Sequence, residues 1–257
     1  MDHPGTSQAP THEAHADASF ELQPDPLSET IGAQPMPERV TAPASVGKRV
    51  YLGLEMAVLF VVVPTLFWQG VIPLGVIPGI ILFAAICLTL LLTDRSFDRR
   101  SLWRWGGLKK EWKRIVVQWL VFAPAMALGV WLYEPERLFS FPRERPELWL
   151  MVMCLYPIFS VYGQELIYRV FFFHRYQHLL THGWMRVLGS AVVFGYVHII
   201  FADNPWLSVI LSGLGGILFA WTYERSRSCA AAGFEHALYG DTVWTVGLGQ
   251  FFYRGGV

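Results

Sequence analysis

"VIPLGVIPGIILFAAICLTLLLT", residues 71–93, runs for 23 residues without a charged side chain. A helix rises 1.5 Å per residue, so about 20 apolar residues cross the hydrocarbon core of a bilayer. A run of this length reads as a membrane span. Similar apolar stretches fall at roughly 50–68, 115–133, 147–166, 186–203, 206–223 and 228–250. Composition agrees: 53% of the 257 residues are hydrophobic and 16% charged, where a soluble domain carries about a quarter charged. The expected fold is all-α, a polytopic transmembrane bundle of about seven or eight helices, without internal repeats. Trp68, Trp131, Tyr133, Trp149, Trp206, Trp221 and Tyr223 recur near predicted span ends, as in an interfacial aromatic belt. Gly213, Gly215 and Gly216 in "LSGLGGILFA" are placed to admit a close neighbouring helix.

Two domains follow from the composition. Residues 1–47 are predicted to be a disordered tail. The first 49 residues hold seven acids, three bases and few apolar anchors, too little surface to offset ordering entropy. No basic segment followed by an apolar run marks a secretory signal there. Residues 48–250 form the helical domain, with its chemistry in 147–250. Between the second and third spans, "DRSFDRRSLWRWGGLKKEWKR" carries eight Lys or Arg against three acids. The positive-inside rule places that loop, and with it the N-terminus, in the cytoplasm. The C-terminus then lies outside, and the expected location is a bacterial inner membrane. Neutral net charge gives no footprint for nucleic acid, and the bilayer is the expected partner. Cys87, Cys154 and Cys229 share no close spacing and read as packing residues.

Against this apolar background, "SVYGQELIYRVFFFHRY", residues 160–176, sets Gln164, Glu165 and Arg169 at membrane depth, where ionisable groups mark sites or pathways. Glu165 and Arg169 are four apart, on one helical face. "VVFGYVHII" adds His198, four residues after Phe194. "AAGFEHALYGDTVW" adds Glu235, His236 and Asp241. Measured from the flanking basic residues, Glu165, His198 and His236 lie about 14, 18 and 14 Å into the membrane. Three spans thus bring carboxylate and imidazole into one slab, the groups needed to activate water.

"QELIYR", "FGYVH" and "HALYGD" resemble, in order, the EExxxR, FxxxH and HxxxN motifs of the CPBP family, the CaaX-protease and bacteriocin-processing (Abi) group of intramembrane proteases. The resemblance implies peptide-bond hydrolysis within the membrane, acting on a membrane-embedded or membrane-associated protein or peptide. It carries the second motif glutamate onto Glu165, the arginine onto Arg169, the aromatic onto Phe194 and the histidines onto His198 and His236. In the family the first motif glutamate and the FxxxH histidine activate water; the last histidine and its asparagine stabilise the oxyanion. Two positions depart. Gln164 stands at the first glutamate, and its amide is no base near neutral pH. Gly240 stands at the asparagine, leaving Tyr239 or Asp241 to take the polar role. Glu165 can replace the missing base only if the helix is turned or locally unwound, because one position is a rotation of about 100°.

Three functions follow: an intramembrane endopeptidase, a catalytically inactive pseudoprotease that binds a partner, or a proton-coupled transporter. The first is favoured by the two retained histidines. The third wants repeated halves with broken helices, and none is visible. A zinc site would draw on His198, His236 and Glu165, but there is no HExxH and zinc is not favoured. His174, His178 and His182 are expected in a wet loop, with His174–His178 at metal-compatible spacing. Glu55 and Gln118 read as groups paired near a membrane edge.

Overall fold

The computed structural model describes Met1 and residues 41–201 and 205–252. Most of the predicted tail, 2–40, lies outside the described residues. Residues 41–44 run beside the loop that follows Arg175: the Thr41 amide donates to the Thr181 carbonyl at 3.0 Å and the Ala44 amide to that of His178 at 3.3 Å.

All regular structure among the described residues is helical. Helix α1 is Val46–Trp68 and α2 is Val76–Thr93. Helix α3 is Trp105–Tyr133, and short α4 is Ser140–Glu144. Helix α5 is Pro146–Arg175. Helix α6 is Gly183–Val197, extended by a 3₁₀ turn over His198–Ile200. Helices α7, Trp206–Ser226, and α8, Cys229–Val246, complete the bundle. Among the described residues, six helices are long and apolar enough to cross a membrane: α1, α2, α3 with its preceding turn, α5, α6 and α7. The seventh predicted span does form a helix, α8, but falls outside that set. It buries Glu235, His236 and Thr242 against α3 and α7, so protein rather than lipid covers its polar groups.

Burial is uneven. The apolar stretch of α6 is 56% buried, against 17% in each of α1 and α2 and 11% in α3, so α6 is the inner helix and the first three form the rim. Helices α6 and α7 approach closely where Gly195 and Gly216 face each other's backbones. A Cβ on Gly195 would stand 2.9 Å from the Val209 carbonyl oxygen and 3.0 Å from the Gly213 Cα. A Cβ on Gly216 would stand 3.1 Å from the Ala191 Cα. Of the predicted glycine face, two depart: Gly215 meets the Phe219 ring of its own helix, and a Cβ on Gly213 would meet nothing within 4 Å. Gly195→Ala forces apart two backbones that have no flexible side chain to yield, and should cost about 1–3 kcal/mol, read as a lowered midpoint of unfolding in mixed micelles.

The aromatic belt is partly as read. Trp68, Trp131, Tyr133 and Trp206 are exposed. Tyr223 is instead buried, edge-on to Phe173 at 5.1 Å, and the Trp149 indole donates to Thr245 Oγ1 at 3.0 Å. Trp149 finds Thr245 on α8, and Tyr223 of α7 finds Phe173 on α5. Glu55 pairs with Arg175, 2.8 Å from Nε and 2.6 Å from Nη2, and Gln118 accepts from Arg114. The cysteines are free, with Cys87 and Cys229 buried and Cys154 exposed.

Candidate active site

Helix α5 is not a regular α-helix, and its irregularity shapes the site. Pro157 interrupts the backbone hydrogen bonding, and wide π-type turns occupy Pro157–Val161 and Leu166–Phe171. Only the short stretch Tyr162–Glu165 between them is α-helical. Such π turns shift the angular register of a helix and recur at functional sites. Here they flank the two adjacent polar residues, which take different partners.

Glu165 turns towards α8. Its Oε1 accepts from His236 Nδ1 at 2.9 Å, and its Oε2 lies 3.4 Å from Arg169 Nε. Glu165 and Arg169 are wholly buried. Arg169 donates from Nη1 to Ser190 Oγ at 2.9 Å, and Ser190 in turn donates to the Tyr168 carbonyl at 2.6 Å. The guanidinium lies over the Phe194 ring, 4.6 Å from its centroid. The far nitrogen of His236, Nε2, is 3.2 Å from the Tyr156 hydroxyl. A continuous polar chain therefore runs Arg169–Glu165–His236–Tyr156, from α5 to α8 and back. Because a carboxylate oxygen accepts, the hydrogen-bond pattern assigns the imidazole N–H to Nδ1, and the Tyr156 hydroxyl then donates to Nε2.

Gln164 turns the other way. It lines a cavity of about 320 Å³ together with His198, Tyr168 and Ile167. The remaining walls are apolar, from Leu59 to Phe67 of α1 and Val76 to Ile86 of α2. Leu74, Leu82 and Ile86 line this cavity and are exposed on the bundle surface, so its rim is reachable from the side that faces lipid. Gln164 Nε2 donates to Ser160 Oγ at 2.7 Å, leaving the amide oxygen as an acceptor. His198 Nδ1 donates to the Phe194 carbonyl at 2.7 Å, which leaves Nε2 as the nitrogen able to take a proton. The two imidazoles flank one ring: His198 is 4.9 Å and His236 5.4 Å from the Phe194 centroid. His236 is also stacked on Phe219 at 4.6 Å.

The structure thus joins Glu165, Arg169 and His236 directly, and sets Gln164 and His198 together on the cavity. Glu165 is not among the cavity's lining residues. Of the two residues expected to take the polar role beside Gly240, the Tyr239 hydroxyl has no hydrogen-bond partner among the described residues. Asp241 Oδ1 likewise has none. Glu235 belongs to a separate cluster, accepting from Thr222 and lying 3.7 Å from Arg114, which also holds Glu111 at 2.8 Å. His174 and His178 diverge: His174 bonds Asp94 at 2.9 Å and His178 the Ala42 carbonyl at 3.0 Å. His174 and Ser96 hold the Asp94 carboxyl well below the usual carboxylate range.

Sequence reading did not find Tyr156, Ser160 or Ser190. Ser160, four residues before Gln164, carries a legible helical spacing. Tyr156 carries only the presence of a phenol before Pro157 in an apolar run. A metal centre needs ligands converging on one point. Glu165 and His236 instead hydrogen-bond each other, and among the described residues no group of three or more His, Cys, Asp or Glu is placed to hold an ion. The residues do not fit a zinc site as arranged, and no step below is routed through one.

Residues 146–240 match the family model described as Type II CAAX prenyl endopeptidase Rce1-like. The match spans α5, α6, α7 and most of α8, and takes in Gln164, Glu165, Arg169, Phe194, His198 and His236. No curated protein and no solved structure matches the chain. The six candidate spans among the described residues fit a multi-pass integral membrane protein.

Proposed function

We propose, for a chain whose residues 146–240 carry the Rce1-like type II CAAX prenyl endopeptidase family, that it hydrolyses a peptide bond of a membrane-associated substrate. The observation that carries this reading is the apolar cavity between α1 and α2, whose polar wall is made by Gln164 and His198. An apolar segment enters between the rim helices and presents its backbone to the two polar side chains. The basic stretch 94–114, which runs from the end of α2 into the first turns of α3, faces the cytoplasm in this reading, from the charge bias of the sequence.

In this reading a water sits between the Gln164 amide oxygen and His198. Nε2 of His198 takes one water proton as the oxygen attacks the carbonyl carbon, giving a tetrahedral oxyanion. His198 returns that proton to the amide nitrogen, the C–N bond breaks, and the new carboxylic acid passes its proton to the amine, so that a carboxylate and an ammonium leave. His236 does not line the cavity and its Nε2 faces the Tyr156 hydroxyl; in this reading substrate entry brings the carbonyl to that nitrogen, and an N–H there, shared with the phenol oxygen, meets the oxyanion. Arg169 holds Glu165 in place.

A second reading, a pseudoprotease that binds without cutting, is favoured by one observation: the acid nearest the cavity is replaced by Gln164, while Glu165 is spent on His236 and Arg169. Gln164→Glu separates the two. If His198 alone is base enough, the unaltered chain in nanodiscs cuts a membrane-anchored fluorogenic peptide, and the added carboxylate changes kcat by about tenfold or less. Cleavage by Gln164→Glu alone would establish the pseudoprotease.

A further inference from the structure

The contact between Tyr156 and α8 has a feature that packing alone does not demand. Gly240 lies one helical turn after His236, on the same face. A Cβ there would stand 2.5 Å from the Tyr156 hydroxyl and 2.8 Å from Cζ, well inside van der Waals contact. The phenol therefore fills the space a side chain at 240 would take, and its hydroxyl ends 3.2 Å from His236 Nε2. The ring stands edge-on to the imidazole, with centroids 6.2 Å apart and planes at 80°. Glu165 and Asp241 are the charged groups that act on the hydroxyl. Glu165 holds the opposite nitrogen of the same imidazole, while Phe219 and Phe194 fix its plane.

We infer that Tyr156 is a positioning residue for His236, and that Gly240 is the vacancy that admits it. This rests on the peptidase reading for its consequence in turnover, but not for the contact itself. A phenol is suited to the task because its hydroxyl both donates and accepts. It satisfies Nε2 when the ring is neutral and still partners it when Nε2 carries a proton. His236 can then change protonation state without losing its orientation. Neither Tyr239 nor Asp241 is required at that nitrogen, and the glycine is part of the site rather than a lesion in it.

The test uses the full chain in nanodiscs, with Tyr156→Phe, Gly240→Ala and the double variant. Tyr156→Phe keeps the ring and removes one hydrogen bond, so it should fold normally. It should lower kcat by about tenfold, the worth of one such bond, and leave KM unchanged. Gly240→Ala displaces the ring and should lower kcat at least as much. The double variant should be no worse than Gly240→Ala, because both changes act on one contact. Independently of turnover, ¹⁵N NMR of histidine-labelled protein, with His236 assigned by His236→Asn, should show the Nε2 resonance of His236 moving in Tyr156→Phe. An unmoved resonance overturns the inference, as does a moved resonance with unchanged kcat. If the unaltered chain turns over nothing, the peptidase reading has failed, and the resonance alone decides whether Tyr156 holds His236.

Discussion

His198→Ala should lower kcat by about 10²- to 10⁴-fold, the usual contribution of a positioned general base, with little change in substrate affinity. The reason lies in the division of labour among the polar groups. Only His198 combines a place on the cavity with a ring nitrogen left to accept a proton, because its other nitrogen is spent on the Phe194 carbonyl. Gln164, beside it, cannot take a proton near neutral pH. Glu165, the neighbouring carboxylate, is directed to His236 and Arg169 instead. Removing the imidazole leaves water with an acceptor and no base. Single-turnover cleavage of a membrane-anchored peptide measures the rate, and binding of a non-cleavable analogue measures affinity. A His198→Ala rate within threefold of the unaltered chain would remove His198 from the chemistry.

The largest effect on stability belongs to Arg169. It is fully buried, faces Glu165 at 3.4 Å, donates to Ser190 and covers Phe194. Arg169→Met fills similar space but strands the Glu165 carboxylate without its counter-charge. Breaking a buried pair from one side costs about 3–5 kcal/mol, most of it the uncompensated charge left behind. Arg169→Lys should not rescue, because an ammonium lacks the planar fork that reaches both Glu165 and Ser190 while lying on a ring. The double variant Arg169→Met with Glu165→Gln should recover much of the loss. Reversible unfolding in mixed micelles reads all three, and a single Arg169→Met variant as stable as the unaltered chain would contradict the pairing. The same chain of contacts ties stability to orientation, since Glu165 also holds His236.

Much of this arrangement was legible in the sequence, for physical reasons that can be named. Apolar runs set the helical membrane class because only helices and closed barrels satisfy their backbones in lipid. The shared depth of Glu165 and His236 anticipated their meeting, and the i, i+4 spacing of Glu165 and Arg169 anticipated their ion pair. The facing of Gln164 and Glu165 was not legible. Regular helical geometry separates adjacent residues by a fixed rotation, whereas the π turns at Pro157–Val161 and Leu166–Phe171 change the register on both sides of the pair. Tyr156 escaped for a related reason: its partner is 80 residues away, and the clue was the absence of a side chain at Gly240. Tyr223 and Trp149 were read as interfacial because sequence places them near helix ends. Tertiary packing then supplied Phe173 and Thr245 as partners.

The central claim is that the unaltered chain adds water to a peptide bond at the cavity wall made by Gln164 and His198. Its most direct measurement is mass spectrometry of a membrane-anchored peptide incubated in H₂¹⁸O with the protein in nanodiscs. The account predicts two fragments, the new carboxyl terminus carrying one ¹⁸O, and none of either with His198→Ala. An intact peptide with the unaltered chain, or labelled fragments undiminished in His198→Ala, would contradict it.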